Sequence, residues 1–489
     1  MRIPNLPWLE LSIILALFGS VWVSQLKQAV QAARWGIIFT GLTFVTSCLA
    51  WLTFSLASPA DAHEVWSPSL ALFGQKLFAV DQLSAALVPA IALLHFLTAL
   101  ATARTKMRNF SFSWSLVSEA IRLAMFTCQP GWILVGLLAI SCVPPYIELV
   151  NRRKPTRLYV IHMGLFVGLL IIGWAGVQFS TGSALGLGIS SVPLMLAILI
   201  RCGTVPMHCW VTDWFEHASF GNAILYATPL AGVLAAVRLV LPIAPGWILS
   251  GIAASSLVTA IYAAAMGTIQ HETRRLFAYL FLSNTSLVLV GLEIHTELSF
   301  TASLCLWFSA IFSLGGFGLT LRAIESRFGR LTLTRFHGLY PNIPSLAVCF
   351  LLTGLACVGF PGTVGFIAAE LLVDSAVEAN PIIGMLVVIA GALNGIAVMR
   401  GYFSIFTGAR HHTSISLKMV GRERVAVLTL VALILLGGIF PAPGVQTRVR
   451  AARQILQDRV SRVGADSEPD ATEKPDLHHK VEVEPVPKD

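Results

Sequence analysis

Two segments interrupt long apolar runs with helix-disrupting and polar residues together: Val205-Pro206-Met207-His208-Cys209-Trp210 and Gly359-Phe360-Pro361-Gly362-Thr363-Val364-Gly365-Phe366. Proline and glycine release backbone carbonyls and amides from a helix ladder, and in a bilayer those groups must be re-satisfied by protein or by water in a cavity. A broken membrane helix is therefore a candidate ion or proton site. Around Pro206 stand Arg201, His208, Asp213, Glu216 and His217, a cluster whose cost in lipid places it against protein or water. The bland alternative is a membrane-surface loop in which Arg201 snorkels and Trp210 and Trp214 anchor at the interface. After Gly359, Pro361 and Gly362 come Glu370 and Asp374, whose spacing of four puts both carboxylates on one helix face. Two such groups buried together do not both ionise easily, and one then holds a proton near neutral pH. Against this, Asp374 already stands near a helix end, where water can reach it.

Other ionisable residues fall in apolar segments. Arg400 lies in an otherwise apolar run, and Glu148 closes another. Glu119 and Arg122 stand at i,i+3, where an arginine most simply neutralises its glutamate, so this pair reads as structural. Asp81 opens a segment and is placed to cap it. Of His95, His162 and His208, only His208 adjoins a break and further polar groups, which favours a proton relay there.

These residues need a membrane scaffold to position them. Of 489 residues, 56% are hydrophobic and 12% charged, a balance expected of an all-α polytopic membrane protein and not of a water-soluble domain. Hydropathy places about fourteen spans of roughly 20 residues each, from Trp8–Leu26 to Val425–Phe440, including Gly131–Val150, Val192–Pro206 and an interrupted Ile343–Val377. Odd-to-even connections carry most of the basic residues, among them Arg152, Arg153, Lys154, Arg327, Arg330 and Arg335, which makes those loops cytoplasmic. The opposite loops are acidic or neutral, so the N-terminus is expected outside. Arg448, Arg450, Arg453, Arg459 and Arg462 break this scheme, because fourteen spans leave their basic amphipathic stretch on the outer face. Ala465 to Asp489 has almost no core-forming residues and is expected to be disordered.

The net charge of +8 belongs to short loops and is no nucleic-acid footprint. The eight cysteines are scattered without CxxC spacing, so no zinc or iron-sulfur site is expected. No glycine-rich strand-turn-helix fingerprint indicates a nucleotide or flavin. No cofactor is expected, and electron chemistry falls to a partner.

Arg201 to Ser219 (RCGTVPMHCWVTDWFEHAS), Gln270 to Tyr279 (QHETRRLFAY) and Gly359 to Glu370 (GFPGTVGFIAAE) resemble the antiporter-like membrane subunits of respiratory complex I (NADH-quinone oxidoreductase) and of Mrp cation/proton antiporters. The resemblance runs from about Leu77 to Phe440. It implies an inverted repeat of two five-helix units with one interrupted helix each, and a domain at 77–440 between N-terminal helices (1–76) and a basic segment with tail (441–489). It also implies proton or cation movement across a bacterial inner membrane, with other membrane or soluble subunits as partners besides the lipid.

The departures from the family pattern are chemical. Arg201 and Arg274 stand where the family has lysines, and a guanidinium does not release its proton at physiological pH. Ile133 occupies a place where many relatives have glutamate, and Ala302 to Gly318 lacks the expected lysine. The step from Trp210 to Glu216 resembles a branch that partners a large soluble zinc protein in inorganic-carbon uptake. Three expectations follow: a proton-translocating subunit using Arg201, His208, Asp213, Glu216, Arg274, Glu370, Asp374 and Arg400; the energy-coupling membrane half of an inorganic-carbon transporter; or a non-conducting scaffold.

Overall fold

An apolar chain in lipid has to satisfy its amides within each segment, which leaves helix as the element open to its spans. The computed structural model describes residues 6–56, 73–180, 184–228, 230–294, 296–409 and 419–465, and helices joined by turns account for most of them. In chain order these are α1 (Trp8–Ser24), α2 (Ala29–Leu56), α3 (Ser84–Leu100), α4 (Phe112–Thr127), α5 (Gly131–Ile140), α6 (Val143–Asn151), α7 (Arg157–Phe179), α8 (Ala184–Cys202), α9 (Cys209–His217) and α10 (Phe220–Ala227). Then come α11 (Ala231–Ala235) with a π turn at Ala236–Val240, α12 (Gly246–Thr268), α13 (Thr273–Leu292), α14 (Glu297–Phe328), α15 (Pro344–Ala356), α16 (Val364–Ala379), α17 (Pro381–Phe406), α18 (Gly421–Ile439) and α19 (Ala442–Ala465).

Every apolar segment expected from hydropathy falls on one of these helices or on a broken pair. Eight stretches among the described residues are long and apolar enough to cross a membrane, or nine if the bent pair α18–α19 is one span. The shorter apolar helices include α1, α3 and α15. Gly131–Val150 is one crossing stretch, Gly131–Asn151, with a local irregularity between α5 and α6 at Ser141–Cys142, whereas Val192–Pro206 becomes a helix that ends at Cys202.

Burial separates a core from a lipid-facing shell. In α13 and α14, 94% and 89% of the central window is enclosed, against 22% for α7 and 33% for α2 and α17. The outward faces carry Ile161, Ile172, Met385, Val388 and Ile396, which suits contact with acyl chains. The core is threaded by small polar groups. Ser283 donates to the Ala260 carbonyl at 3.0 Å and accepts from Asn394 at 2.8 Å, while Ser286, Ser303 and the Asn394 carbonyl oxygen are buried without a partner. Ala302 to Gly318, the segment without the expected lysine, thus contributes the Ser303 hydroxyl to the interior.

The arginines after the last span do form a helix, but α19 is no free amphipathic element. It turns 79° away from α18 and docks on the protein. Arg448 is buried over the Phe308 ring and donates to the Leu83 carbonyl at 3.4 Å; Arg453 pairs with Glu297 at 2.7 Å; Arg459 reaches the carbonyls of Leu241 and Ala244 at 3.2 and 3.3 Å. Carbonyls left over past the end of the π turn thus hold Arg459, while a ring and a carboxylate hold Arg448 and Arg453. The tail beyond residue 465, Asp61, Glu64 and His411-His412 lie outside the described residues.

Beside α19, burial pushes the Glu293 carboxyl up to about 8, with Arg459 opposing. An acid raised in the folded state favours folding below its unfolded value, near 4.5, and loses that advantage as pH climbs through about 8. Glu293→Gln is therefore expected to raise the melting temperature in detergent above about pH 8 and to change it little at pH 4.5. Parallel melting curves across that range would contradict this assignment.

Candidate functional site

The first break ends α8 through its own backbone geometry. Gly203 adopts φ +73°, and the Thr204 amide returns to the Leu199 carbonyl at 2.9 Å, a closure that leaves the helix through a left-handed glycine. The Trp210 indole N–H donates to the Ile200 carbonyl at 2.8 Å, and the Val205 amide donates to Thr259 Oγ1 at 2.9 Å. Pro206 and Met207 reach the protein surface, so one side of the break is open.

Arg201 does not snorkel. It is 5% exposed, its Cζ lies 4.4 Å from the Tyr226 ring centroid and 5.6 Å from Trp210, and its Nε is buried without a hydrogen-bond partner. Among the described residues no carboxylate forms an ion pair with it. Trp210 and Trp214 are equally far from interfacial anchors; both are buried against Tyr159 and Tyr226. Tyr159 donates to the Cys142 carbonyl at 3.0 Å, and its hydroxyl oxygen lies 3.1 Å from the Tyr226 hydroxyl, from which it can accept. Stacking a guanidinium on two aromatic faces stabilises it by about 0.5–2 kcal/mol per ring, which offsets part of its desolvation.

His208 lies half-buried on the open side, with Nε2 3.4 Å from the Tyr262 hydroxyl and Nδ1 buried without a partner. His162 is satisfied by the Leu158 carbonyl at 2.8 Å. Asp213 and Glu216 belong to a more peripheral group. Asp213 meets His217 at 3.1 Å, and Glu216 accepts two bonds from Arg275 at 3.1 and 2.7 Å. Burial would raise Glu216, but the bonds and charge of Arg275 outweigh it and hold the carboxyl below its usual value. This part of the first cluster is half-buried and held in ion pairs.

Arg274 is a structural clamp. It makes two bonds to Glu325 at 2.8 and 2.6 Å and donates to the carbonyls of Phe215, Glu216 and Ala218 at 3.2, 3.3 and 2.9 Å. Those carbonyls close α9, so a single fork joins α9, α13 and α14. Arg400 bonds the Thr268 carbonyl at the end of α12.

The second break differs from the first. Gly359 and Gly362 have φ of +85° and +84°, conformations that need glycine, and Gly438 of α18 packs so tightly that a Cβ there would come 2.3 Å from the Gly362 carbonyl oxygen. Phe360, Pro361 and Gly362 are exposed on the outside of the bundle. Glu370 and Asp374 do share a helix face, but it is the outward one and both are exposed. The expectation of a buried carboxylate pair is corrected: the rotation of α16 turns Ala368, Leu372 and Ala376 inward and the acids out.

The buried charges gather elsewhere. Glu119 is 0% exposed with neither carboxylate oxygen hydrogen-bonded, and it makes no ion pair with Arg122, so the expected neutralising pair is not formed. Arg122 instead donates to the Ser118 carbonyl at 3.0 Å and approaches His95 Nε2 at 3.4 Å, with its Cζ 5.8 Å from the Tyr226 centroid. Glu148 accepts from the Ser219 amide at 3.1 Å and Asn222 at 2.9 Å. Arg327 pairs with Glu423, and Arg322 donates to the Thr98 carbonyl and Thr102 hydroxyl at 2.9 Å each. On the opposite face Asp81 caps α3 through the Ser84 amide at 2.8 Å, as expected, and also pairs with Arg238 of the π turn. That pair lines a cavity of about 420 Å³ bordered by Gln129, Gln178 and α19. Arg238, Arg322 and Glu325 carried no signal in the sequence beyond being ionisable residues near span ends.

A family model described as "NADH:quinone oxidoreductase/Mrp antiporter, TM" matches residues 165–394, which include both breaks. The chain is similar over that stretch to antiporter-like membrane subunits of the complex I and Mrp type. Among relatives, it is 25% identical over 466 residues to NADH-quinone oxidoreductase subunit N of Laribacter hongkongensis, covering 85% of the chain and 92% of that protein. It is 26% identical over 456 residues to subunit 13 of the Thermus thermophilus enzyme, covering 87% and 93%. Its fold is similar to a chain of respiratory complex I from Thermus thermophilus, with a TM-score of 0.80 at 22% identity over 92% of this chain and 99% of that one. A chain of the Mrp complex from Dietzia sp. gives 0.76 at 16% identity, over 92% and 99%. The protein is a multi-pass membrane protein of a type that works in multisubunit complexes.

Arg274→Ala leaves Glu325 without its partner and three carbonyls uncapped. Loss of about 3–5 kcal/mol of stability is expected, read as a lowered melting temperature in detergent. A melt equal to wild type would remove Arg274 as the clamp of α9.

Proposed function

We propose that this subunit moves protons across a bacterial inner membrane within a larger complex related to NADH-quinone oxidoreductase. Its path passes the first break, where Arg201 sets the field and His208 exchanges protons with water on the open side. The observation that carries the reading is a guanidinium buried at a helix break with no carboxylate beside it. Such a fixed positive charge has a large effect on the proton affinity of any neighbouring acid or imidazole in a low-dielectric interior. Asp213 and Glu216 lie at the mouth of this route, and Arg274 holds that mouth together.

On this reading the chain crosses the bilayer about fourteen times, with 77–440 as an inverted repeat between the N-terminal helices 1–76 and the segment 441–489. The breaks at Pro206 and at Gly359, Pro361 and Gly362 are the interrupted helices of the two halves. Glu370 and Asp374, facing outward on α16, take part where a neighbouring subunit or water meets that face, and Arg400 steadies α17 against α12. The driving reaction belongs to partner subunits.

Reconstitution of the purified complex with a pH-sensitive dye tests this. Arg201→Ala and His208→Ala are each expected to lower proton flux about tenfold or more, with assembly retained. Wild-type flux from both variants would refute the route. Flavin and iron-sulfur partners in the same preparation are the expected company; a large zinc protein alone would transfer the chain to inorganic-carbon uptake.

A further inference from the structure

The strongest unused chemistry in the molecule lies between α3, α4 and α10, behind the Tyr226 ring that Arg201 of the first break also contacts. Glu119 and His95 are each 0% exposed. Both oxygens of Glu119 lack a hydrogen-bond partner, and so does His95 Nδ1. Arginine only donates, so the 3.4 Å approach of Arg122 Nη1 makes His95 Nε2 the acceptor and leaves the ring proton on Nδ1. The histidine thus points an unused N–H into the interior while the carboxylate presents unused lone pairs. Buried polar groups are nearly always paired, and the exceptions mark function or an internal water.

The charges around this pair are fixed. Arg122 and Arg201 approach the same Tyr226 ring, at 5.8 and 4.4 Å from its centroid, and neither guanidinium titrates in the physiological range. Tyr159 is hydrogen-bonded to Tyr226 and the Cys142 carbonyl. That leaves Glu119 and His95 as the groups at this place able to gain and lose a proton. A cavity of about 20 Å³ lined by Glu148, Asn222, Ser115, Ser118, Tyr226 and Arg122 comes up to the helix that carries Glu119 and stops at Ser115, one turn before it, without touching Glu119 itself. That volume holds about one water, and Ser115 turns a buried, unpartnered hydroxyl toward the same region.

We propose that Glu119, with His95 across Arg122, is the proton-holding station of the first half of the membrane domain, loaded through the water cavity between Glu148 and Tyr226. In the step, a hydronium in the cavity gives its proton through a bridging water beside Ser115 to a Glu119 oxygen; at each transfer one O–H bond breaks on the donor and one forms on the acceptor, and the positive charge leaves the solvent chain. Release reverses the same bond exchange toward water, while His95 offers its Nδ1 proton as a hydrogen-bond donor. Arg122 and Arg201 act as positioning residues whose charge decides how readily Glu119 gives the proton up. The proposal deepens the proton-moving reading above and rests on it.

Infrared spectroscopy of the assembled complex in membranes, scanned over pH, addresses the station without needing flux. The wild type is expected to show a carbonyl band of a protonated, buried carboxyl that fades on titration, is absent in Glu119→Gln and moves in Glu119→Asp. Flux should fall about tenfold or more in Glu119→Gln and recover to within about threefold in Glu119→Asp. A missing band, or one unchanged in both variants, overturns the station whatever the flux. If Glu119→Gln fails to assemble, Glu119→Asp decides alone, a shifted band supporting and an unshifted band refuting. Failure of the reading beneath it looks different, because the wild-type complex would then conduct no protons while the band still titrates.

Discussion

An arginine taken out of water without a carboxylate to meet it is the constraint around which this bundle is organised. Arg201 cannot shed its charge, so the fold supplies what is left: the faces of Tyr226 and Trp210, packed in turn on Tyr159 and Trp214. Those four rings hold α7, α8, α9 and α10 in fixed relation, and the break after Cys202 is what lets Trp210 fold back onto the helix that carries Arg201. With Arg122 at the same ring, two like charges approach one tyrosine. Like charges that close repel strongly in a medium of low dielectric constant. Glu119, three residues before Arg122 on α4, is the acid whose charge opposes that repulsion at Arg122.

The two breaks share a sequence pattern and differ in role. The first is enclosed on one side by Trp210, Thr259 and Arg201 and open on the other through Pro206 and Met207. The second is closed against α18 at Gly438 and turns Phe360 and Pro361 outward. Polar backbone alone therefore does not make an ion site. The ionisable side chains that its surroundings admit make the difference, and those surroundings come from other helices.

Arginine serves this protein in three ways. Arg274, Arg327 and Arg238 end in carboxylates and lock helix ends together. Arg448, Arg459 and Arg322 end on carbonyls, and Arg459 and Arg322 use the acceptors that helices leave free at their C-termini. Arg201 and Arg122 lean on aromatic faces in the interior. The first two kinds stabilise the bundle, and the third leaves charge uncompensated where a proton can respond to it. The C-terminal helix shows the second kind deciding topography, since carbonyl acceptors, not membrane phosphates, capture Arg448 and Arg459.

Apolar runs and their interruptions were legible from residue order alone, because a helix in lipid depends on its own composition and length. Both breaks, the glycines at 203, 359 and 362, the helix that follows Phe440 and the family likeness all belong to that local information. Which way a helix face points does not. Glu370 and Asp374 are as acidic as Glu119, and only the rotation of α16 against α14 and α18 puts them outside while α4 turns Glu119 in. The i,i+3 spacing of Glu119 and Arg122 suggested a neutral pair, yet His95, 27 positions away from Arg122, draws the guanidinium off. Helical register is written in the chain; the partners a side chain meets across helices are settled by packing, and with them the line between a clamp and a proton site.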